Sequence, residues 1–144
     1  FSERFSHQWD WGIGDTARGT EKFRLSYQKA LAELEGQRLL KRKIERFLQG
    51  GFRHELKIEE AAKEANLSVH YFSKWFKKQF GKNFSEYLLE LRVNHAIWLL
   101  TRTDLSVKEI SYRSGFNDPN YFSKIFKKVT GEKPIAFRRR ESVK

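Results

Sequence analysis

Residues 71–81 read YFSKWFKKQFG, and residues 121–131 read YFSKIFKKVTG. Eight of the eleven positions are identical at an offset of 50 residues, a match that chance does not produce. In both copies the apolar side chains recur at the three- and four-residue spacing of a helix, and a glycine follows the pattern. The chain therefore carries one helical element twice.

A short helical pattern precedes each copy. Ala61-Ala62 and Ile110-Ser111 align at an offset of 49, so the second copy has one extra residue in its turn, within 116–118. A short helix, a tight turn and a second helix form a helix-turn-helix. Ser68 and Asp118 stand where N-caps are needed, so the pattern predicts second helices over about 69–80 and 119–130.

The segment between the copies has the pattern of one long helix. Residues 84–100 predict a connector about 25 Å long, at 1.5 Å per residue. Pro134 opens a last short helix, and no strand is predicted after residue 37. The predicted fold class is all-α, with two helix-turn-helix subdomains joined by a connector helix, about seven helices in total, and a short N-terminal strand–helix remnant.

The second helices have two different faces. We interpret the aromatic and aliphatic residues at 71/72, 75/76, 121/122 and 125/126 as core. The opposite face is polar and basic at the spacing i, i+3, i+4, i+7, which lines one side of a helix. Such a side fits a DNA major groove, although a solvated basic face has the same composition. The residues of this face are His70, Ser73, Lys74, Lys77 and Lys78 in the first copy and Asn120, Ser123, Lys124, Lys127 and Lys128 in the second.

The net charge supports a polyanionic partner. The chain has 29 lysines and arginines against 18 acidic residues, a formal charge of +11. Residues 1–36 carry five basic and six acidic side chains, whereas residues 37–144 carry 24 and 12. A basic module beside a near-neutral segment is typical of nucleic-acid binding, and a charged solvated surface is the alternative.

Other functions find little support in the residues. The absence of cysteine excludes thiolate metal sites and cysteine nucleophiles. The four histidines are scattered, and no phosphate-binding glycine loop or GxSxG motif occurs, so we expect no enzyme, no cofactor and no metal site. RNA-binding modules usually expose aromatics on a sheet or loop, whereas the aromatics of this chain fall on the core face of helices. A membrane-surface helix needs no duplicated helix-turn-helix.

These motifs resemble the DNA-binding domain of the AraC/XylS family of bacterial transcription regulators. The likeness rests on the turn Asn66–Ser68, the two repeated helices, the connector, and the run 115–124 through Gly131 and Pro134. It implies that the two repeated helices enter adjacent major grooves. It also implies base contacts from His70, Ser73, Lys74, Asn120, Ser123 and Lys124, and phosphate contacts from Lys77 and Lys127, to which we add Lys78 and Lys128 from their position on the basic face.

Residues 1–36 differ from the rest. Residues 9–14 predict a short strand, and Phe23, Tyr27 and Leu34 follow at helical spacing. Gly12-Ile13-Gly14 followed by a helix resembles the end of the GGDEF-like domains that precede some bacterial regulators. We therefore divide the chain into residues 1–36, the tail of such a domain or a linker, and residues 37–144, the double helix-turn-helix domain.

The expected function is sequence-specific binding of double-stranded DNA in transcription regulation. RNA polymerase is the expected protein partner, and dimerisation would come from a preceding region outside this sequence. We expect no membrane contact from these residues and a cytoplasmic location.

Overall fold

A computed structural model describes the backbone of residues 3–142 and the side chains of residues 19–142. The described residues form helices and no strand, which confirms the all-α prediction. The helices are α1 (Glu3–Gly51), α2 (Ile58–Glu64), α3 (Val69–Phe80), α4 (Phe84–Arg102), α5 (Val107–Arg113), α6 (Pro119–Thr130) and α7 (Pro134–Ser142).

The predicted N-terminal strand is wrong. Residues 9–14 lie within α1, which runs through to the Gly50-Gly51 pair. A lone strand has no neighbour to pair its N–H and C=O groups, whereas a helix pairs them internally, so a segment without a second strand favours helix.

The chain divides into two compact units, of which the first ends at Leu40 and the second is Lys41–Lys144. In the first unit, Phe23, Tyr27 and Leu34 are 73%, 57% and 56% exposed. Their helical spacing is as predicted, but these side chains form no buried core within their own unit. Both helix-turn-helix motifs lie in the second unit.

The ends of α3 and α6 confirm the predicted bounds. The Ser68 hydroxyl accepts a hydrogen bond from the Tyr71 N–H at 3.2 Å, and the Asp118 carboxylate accepts one from the Asn120 N–H at 2.8 Å. Both helices end at glycines in the left-handed region, with φ of 73° at Gly81 and 88° at Gly131. Local capping chemistry thus defines both second helices.

The first helix-turn-helix is built on aromatic packing. Phe72 and Phe76 are fully buried, with ring centroids 5.5 Å apart, and Phe84 of α4 lies 5.7 Å from Phe76. Ala61 and Ala62 of α2 are also buried, and their small side chains let α2 pack closely against its neighbours. The core therefore fixes α3 by one face only.

The second helix-turn-helix repeats this plan around the other half of α4. Phe122 and Phe126 are fully buried, with centroids 5.6 Å apart. Phe137 of α7 packs edge-on against Phe126 at 5.5 Å. Val93, Ala96, Leu99, Leu100, Ile110 and Phe116 complete this core.

None of the helices within residues 3–142 is sufficiently long and apolar to cross a bilayer.

Candidate nucleic-acid interface

Helix α3 separates its apolar and polar residues cleanly. Phe72, Trp75 and Phe76 are buried. All five residues of the predicted basic face are exposed, namely His70, Ser73, Lys74, Lys77 and Lys78. Since residues three and four apart share one side of a helix, these side chains form a single exposed surface opposite the core.

Helix α6 presents the matching surface with one difference. Asn120, Lys124, Lys127 and Lys128 are exposed, but Ser123 is half-buried. The Ser123 hydroxyl donates a hydrogen bond to the Pro119 carbonyl at 3.0 Å. While this bond is kept, Ser123 can offer a ligand an acceptor but no donor.

The lysines of the two faces are available for a ligand. Within residues 19–142, no salt bridge involves Lys74, Lys77, Lys124 or Lys127. Lys128 has a different setting, because it lines a groove beside acidic residues of α4. The two central lysines of each face are therefore exposed and not paired with an acidic side chain of the described residues.

Two tyrosines lie outside the core, contrary to the prediction. Tyr71 is 55% exposed and Tyr121 is 47% exposed, although each precedes a fully buried phenylalanine. Consecutive helical residues are 100° apart, so the tyrosines lie at the border between the core and the basic face. Their phenolic hydroxyls add a hydrogen-bonding group beside each predicted interface.

The arginine run near the C-terminus is partly engaged inside the domain. Arg138 donates to the Leu100 carbonyl at 3.3 Å and to the Leu105 carbonyl at 2.6 Å. Arg140 forms salt bridges with Glu132 and Glu141. Arg139 is exposed and takes part in none of these contacts, so the three arginines do not form a uniform basic patch.

The geometry defines a class of protein: an all-helical module with two helix-turn-helix motifs and two exposed basic second helices. A family model described as a helix-turn-helix domain matches residues 61–140. The chain is 34% identical over 93 residues to the transcriptional activator RhaR of an Enterobacter species, covering 65% of this chain and 33% of RhaR. The matched region spans between 24% and 39% of the length of curated relatives such as these.

Solved structures of domains from transcription regulators have the same fold as this chain. The C-terminal domain of the response regulator AraT of Geobacillus stearothermophilus is 33% identical, with a TM-score of 0.67 over 70% of this chain and 84% of that one. The DNA-binding domain of the transcriptional factor AdpA, solved with a target DNA, is 27% identical, with a TM-score of 0.65 over 67% of this chain and 87% of that one. This chain belongs to the AraC/XylS family of transcription regulators. The relatives are named as regulators and not as enzymes, in agreement with the prediction for this chain.

Proposed function

We propose that this chain binds specific double-stranded DNA through α3 and α6 and thereby regulates transcription. The observation that carries the proposal is the repeated basic face: each second helix buries two phenylalanines and exposes a polar residue and lysines on the opposite side. The serine of this face is exposed on α3 and half-buried on α6. An exposed helix face of this width fits a major groove. The complex of AdpA with DNA supports the same use of a related domain.

The residues divide by the chemistry they offer. His70, Ser73, Asn120 and Ser123 have short polar side chains that can reach base edges near the N-terminal half of each helix. Lys74 and Lys124 are long enough to reach the acceptors of guanine, and we assign them to base contacts. Lys77, Lys78, Lys127 and Lys128 lie about one turn further along each helix and are assigned to phosphates.

Selection from a random duplex library with this chain would test the proposal. We expect two half-sites separated by about one helical turn, roughly 34 Å. Lys74→Ala and Lys124→Ala should each weaken specific binding by about 1–3 kcal/mol and affect random duplexes less. Lys77→Ala and Lys127→Ala should weaken both and reduce the salt slope by about 1 each.

Lys29→Ala is the matched control, because it removes the same charge from the first unit. It should leave specific binding and the half-site preference unchanged. Equal losses on specific and random duplexes for Lys74→Ala would reduce that residue to a phosphate contact. A preference for single-stranded RNA over duplex DNA at two salt concentrations would overturn the proposal.

The wider setting follows from the same proposal. We propose that the full-length protein acts in the cytoplasm, contacts RNA polymerase, and dimerises through a region preceding this sequence. Residues 1–36 are proposed as the end of a GGDEF-like domain or as a linker. Sedimentation of the longer protein beside this chain tests the dimer, and transcription in vitro with purified polymerase tests the contact.

A further inference from the structure

Three segments of the second unit meet at the middle of α4. They are the loop that follows α1, the connector α4 itself, and the turn between α5 and α6. The loop leads into α2, the first helix of the first helix-turn-helix, and the turn belongs to the second helix-turn-helix. Their meeting joins the two motifs by a route other than the connector helix.

Arg92 of α4 is at the centre of this cluster. Its Nε donates to the Phe52 carbonyl at 2.8 Å, and its Nη2 donates to the His54 carbonyl at 3.0 Å. Its guanidinium carbon lies 5.9 Å from the centroid of the Phe116 ring. One side chain thus holds the loop that leads into the first motif by two hydrogen bonds and contacts the turn of the second motif.

The turn itself packs against the same loop. A Cβ on Gly115 would lie 2.8 Å from the Phe52 carbonyl oxygen and 3.0 Å from Nε of Arg92. Nearby, the Phe52 ring packs edge-on against His95 at 5.3 Å, and His95 Nδ1 lies 3.3 Å from the Ser114 hydroxyl oxygen. The loop that leads into the first motif is therefore in contact with the turn of the second motif and with α4, through backbone, rings and a charged side chain.

A connector helix does not by itself fix two attached motifs. α4 has 19 residues, about 28 Å in length, and helices of this length bend gently. Two linked binding modules gain most affinity when their arrangement matches the spacing of their sites. Any group that suppresses bending and twisting between the motifs therefore raises affinity for one spacing and lowers it for others.

We propose that Arg92 is a positioning residue that holds the two helix-turn-helix motifs in one relative orientation and so determines which half-site spacing the chain accepts. The spacing part rests on the proposed function, whereas the orientation part does not. Arg92 acts through the loop carbonyls and the Phe116 ring, and it is not one of the residues assigned to DNA.

The orientation can be measured without DNA. The chain has no cysteine, so Ser73→Cys and Asn120→Cys give one pair of spin labels, on α3 and α6. Pulsed electron–electron double resonance should give one narrow distribution of the distance between the two spin labels in the otherwise wild-type chain. Arg92→Met removes the donors but keeps an unbranched stem, and it should broaden the distribution. Arg92→Lys should be intermediate, because an ammonium group does not reproduce the planar fork.

The preference for one spacing is measured on duplexes in which the selected half-sites are moved apart or together by one base pair. Each such step rotates one half-site by about 34° relative to the other. Wild type should prefer the selected spacing, and Arg92→Met should reduce that preference by about tenfold while binding single half-sites as before. Arg102→Met, at an exposed arginine of the same helix, is the control and should change neither measurement.

An unchanged distance distribution in Arg92→Met would overturn the proposal, whatever happens to DNA affinity. An unchanged spacing preference in Arg92→Met would overturn the claim that Arg92 determines which half-site spacing the chain accepts. If Arg92→Met does not fold, as judged by circular dichroism, the same two criteria apply to Arg92→Lys. If the wild-type chain binds no specific duplex, the proposed function fails, and the distance distribution still decides the orientation.

Discussion

The two helix-turn-helix motifs share their second helix almost residue for residue, yet their turns use different residues. Asn66 and Gly115 occupy equivalent positions, and both lie in the left-handed region, with φ of 55° and 87°. Asn66 is exposed, whereas Gly115 lies so close to the Phe52 carbonyl that a Cβ would be 2.8 Å away. Asparagine satisfies a left-handed turn that faces solvent, but the turn of the second motif also packs against the first.

The helices that close the two motifs show a related contrast. Arg92 on α4 donates to two backbone carbonyls of the loop after α1. Arg138 on α7 donates to the Leu100 carbonyl near the end of α4 and to the Leu105 carbonyl in the loop that follows α4. Arg138 ties α7 to the end of α4 and to the loop that leads into the second motif. Arg92 holds the loop that leads into the first motif and also contacts a ring in the turn of the second. An arginine bonded to two backbone carbonyls thus stabilises the second half of the domain at α7, whereas at α4 it links the two halves.

The largest expected effect follows from the two turns. Gly115→Ala places a methyl group against the Phe52 carbonyl at a φ that L-residues rarely adopt. We expect it to lower the free energy of unfolding by about 2–4 kcal/mol, from left-handed strain and steric overlap together. Chemical denaturation of wild type and variant measures the change.

Asn66→Gly is the matched change in the first motif. It keeps the left-handed turn and faces solvent, so the free energy of unfolding should change by less than about 1 kcal/mol. Similar losses at the two positions would contradict the conclusion that packing separates the two turns.

A smaller effect is expected at the closing helix of the second motif. Arg138→Ala leaves the Leu100 and Leu105 carbonyls without their donor, and charged hydrogen bonds of this kind are worth about 1–3 kcal/mol. Thermal unfolding should show a corresponding loss of stability. Arg139→Ala removes the neighbouring exposed arginine and should leave the unfolding midpoint unchanged, so an equal loss in both variants would show that the Arg138 contacts contribute nothing.

Local signals explain what could be predicted from the sequence. α3 and α6 were predicted to the residue because each has a capping side chain at one end and a glycine at the other, both within the segment itself. The strand predicted at residues 9–14 is wrong, and its prediction rests on a short apolar run alone. Helix and strand are hard to separate in so short a run, and no pairing strand was available.

Contacts between distant segments explain what could not be predicted. The Arg92 and Arg138 carbonyl partners are 33 to 40 residues away in the chain, so no local pattern reveals them. Ser123 was placed on the basic face by its spacing, but its bond to Pro119 depends on the helical backbone. The assignment of the exposed face to bases and phosphates remains a prediction until DNA is bound.

The smallest expected effect is a pH dependence where the two motifs meet. Burial lowers the pKa of His95 below its ordinary value, and the positive charge of Arg53 lowers it further. Within residues 19–142, Phe52 and Trp98 flank the ring, Ser114 lies at Nδ1, and Arg53 is the charged neighbour that affects the pKa. Because the unfolded chain takes up this proton at a higher pH than the folded chain, stability is full above the unfolded pKa of about 6.5 and falls as the pH drops through it.

Thermal unfolding at about pH 8 and about pH 5.5 measures this dependence. We expect the midpoint of the wild-type chain to drop further on acidification than that of His95→Gln, which has no proton to gain at this position. His70→Gln is the control, because His70 is exposed on α3, and its acid-induced drop should equal that of wild type. The difference between the first two chains isolates His95, since the remaining ionisable groups are common to both. Identical drops in wild type and His95→Gln would mean that protonating His95 does not disturb the contact between the loop and the turn.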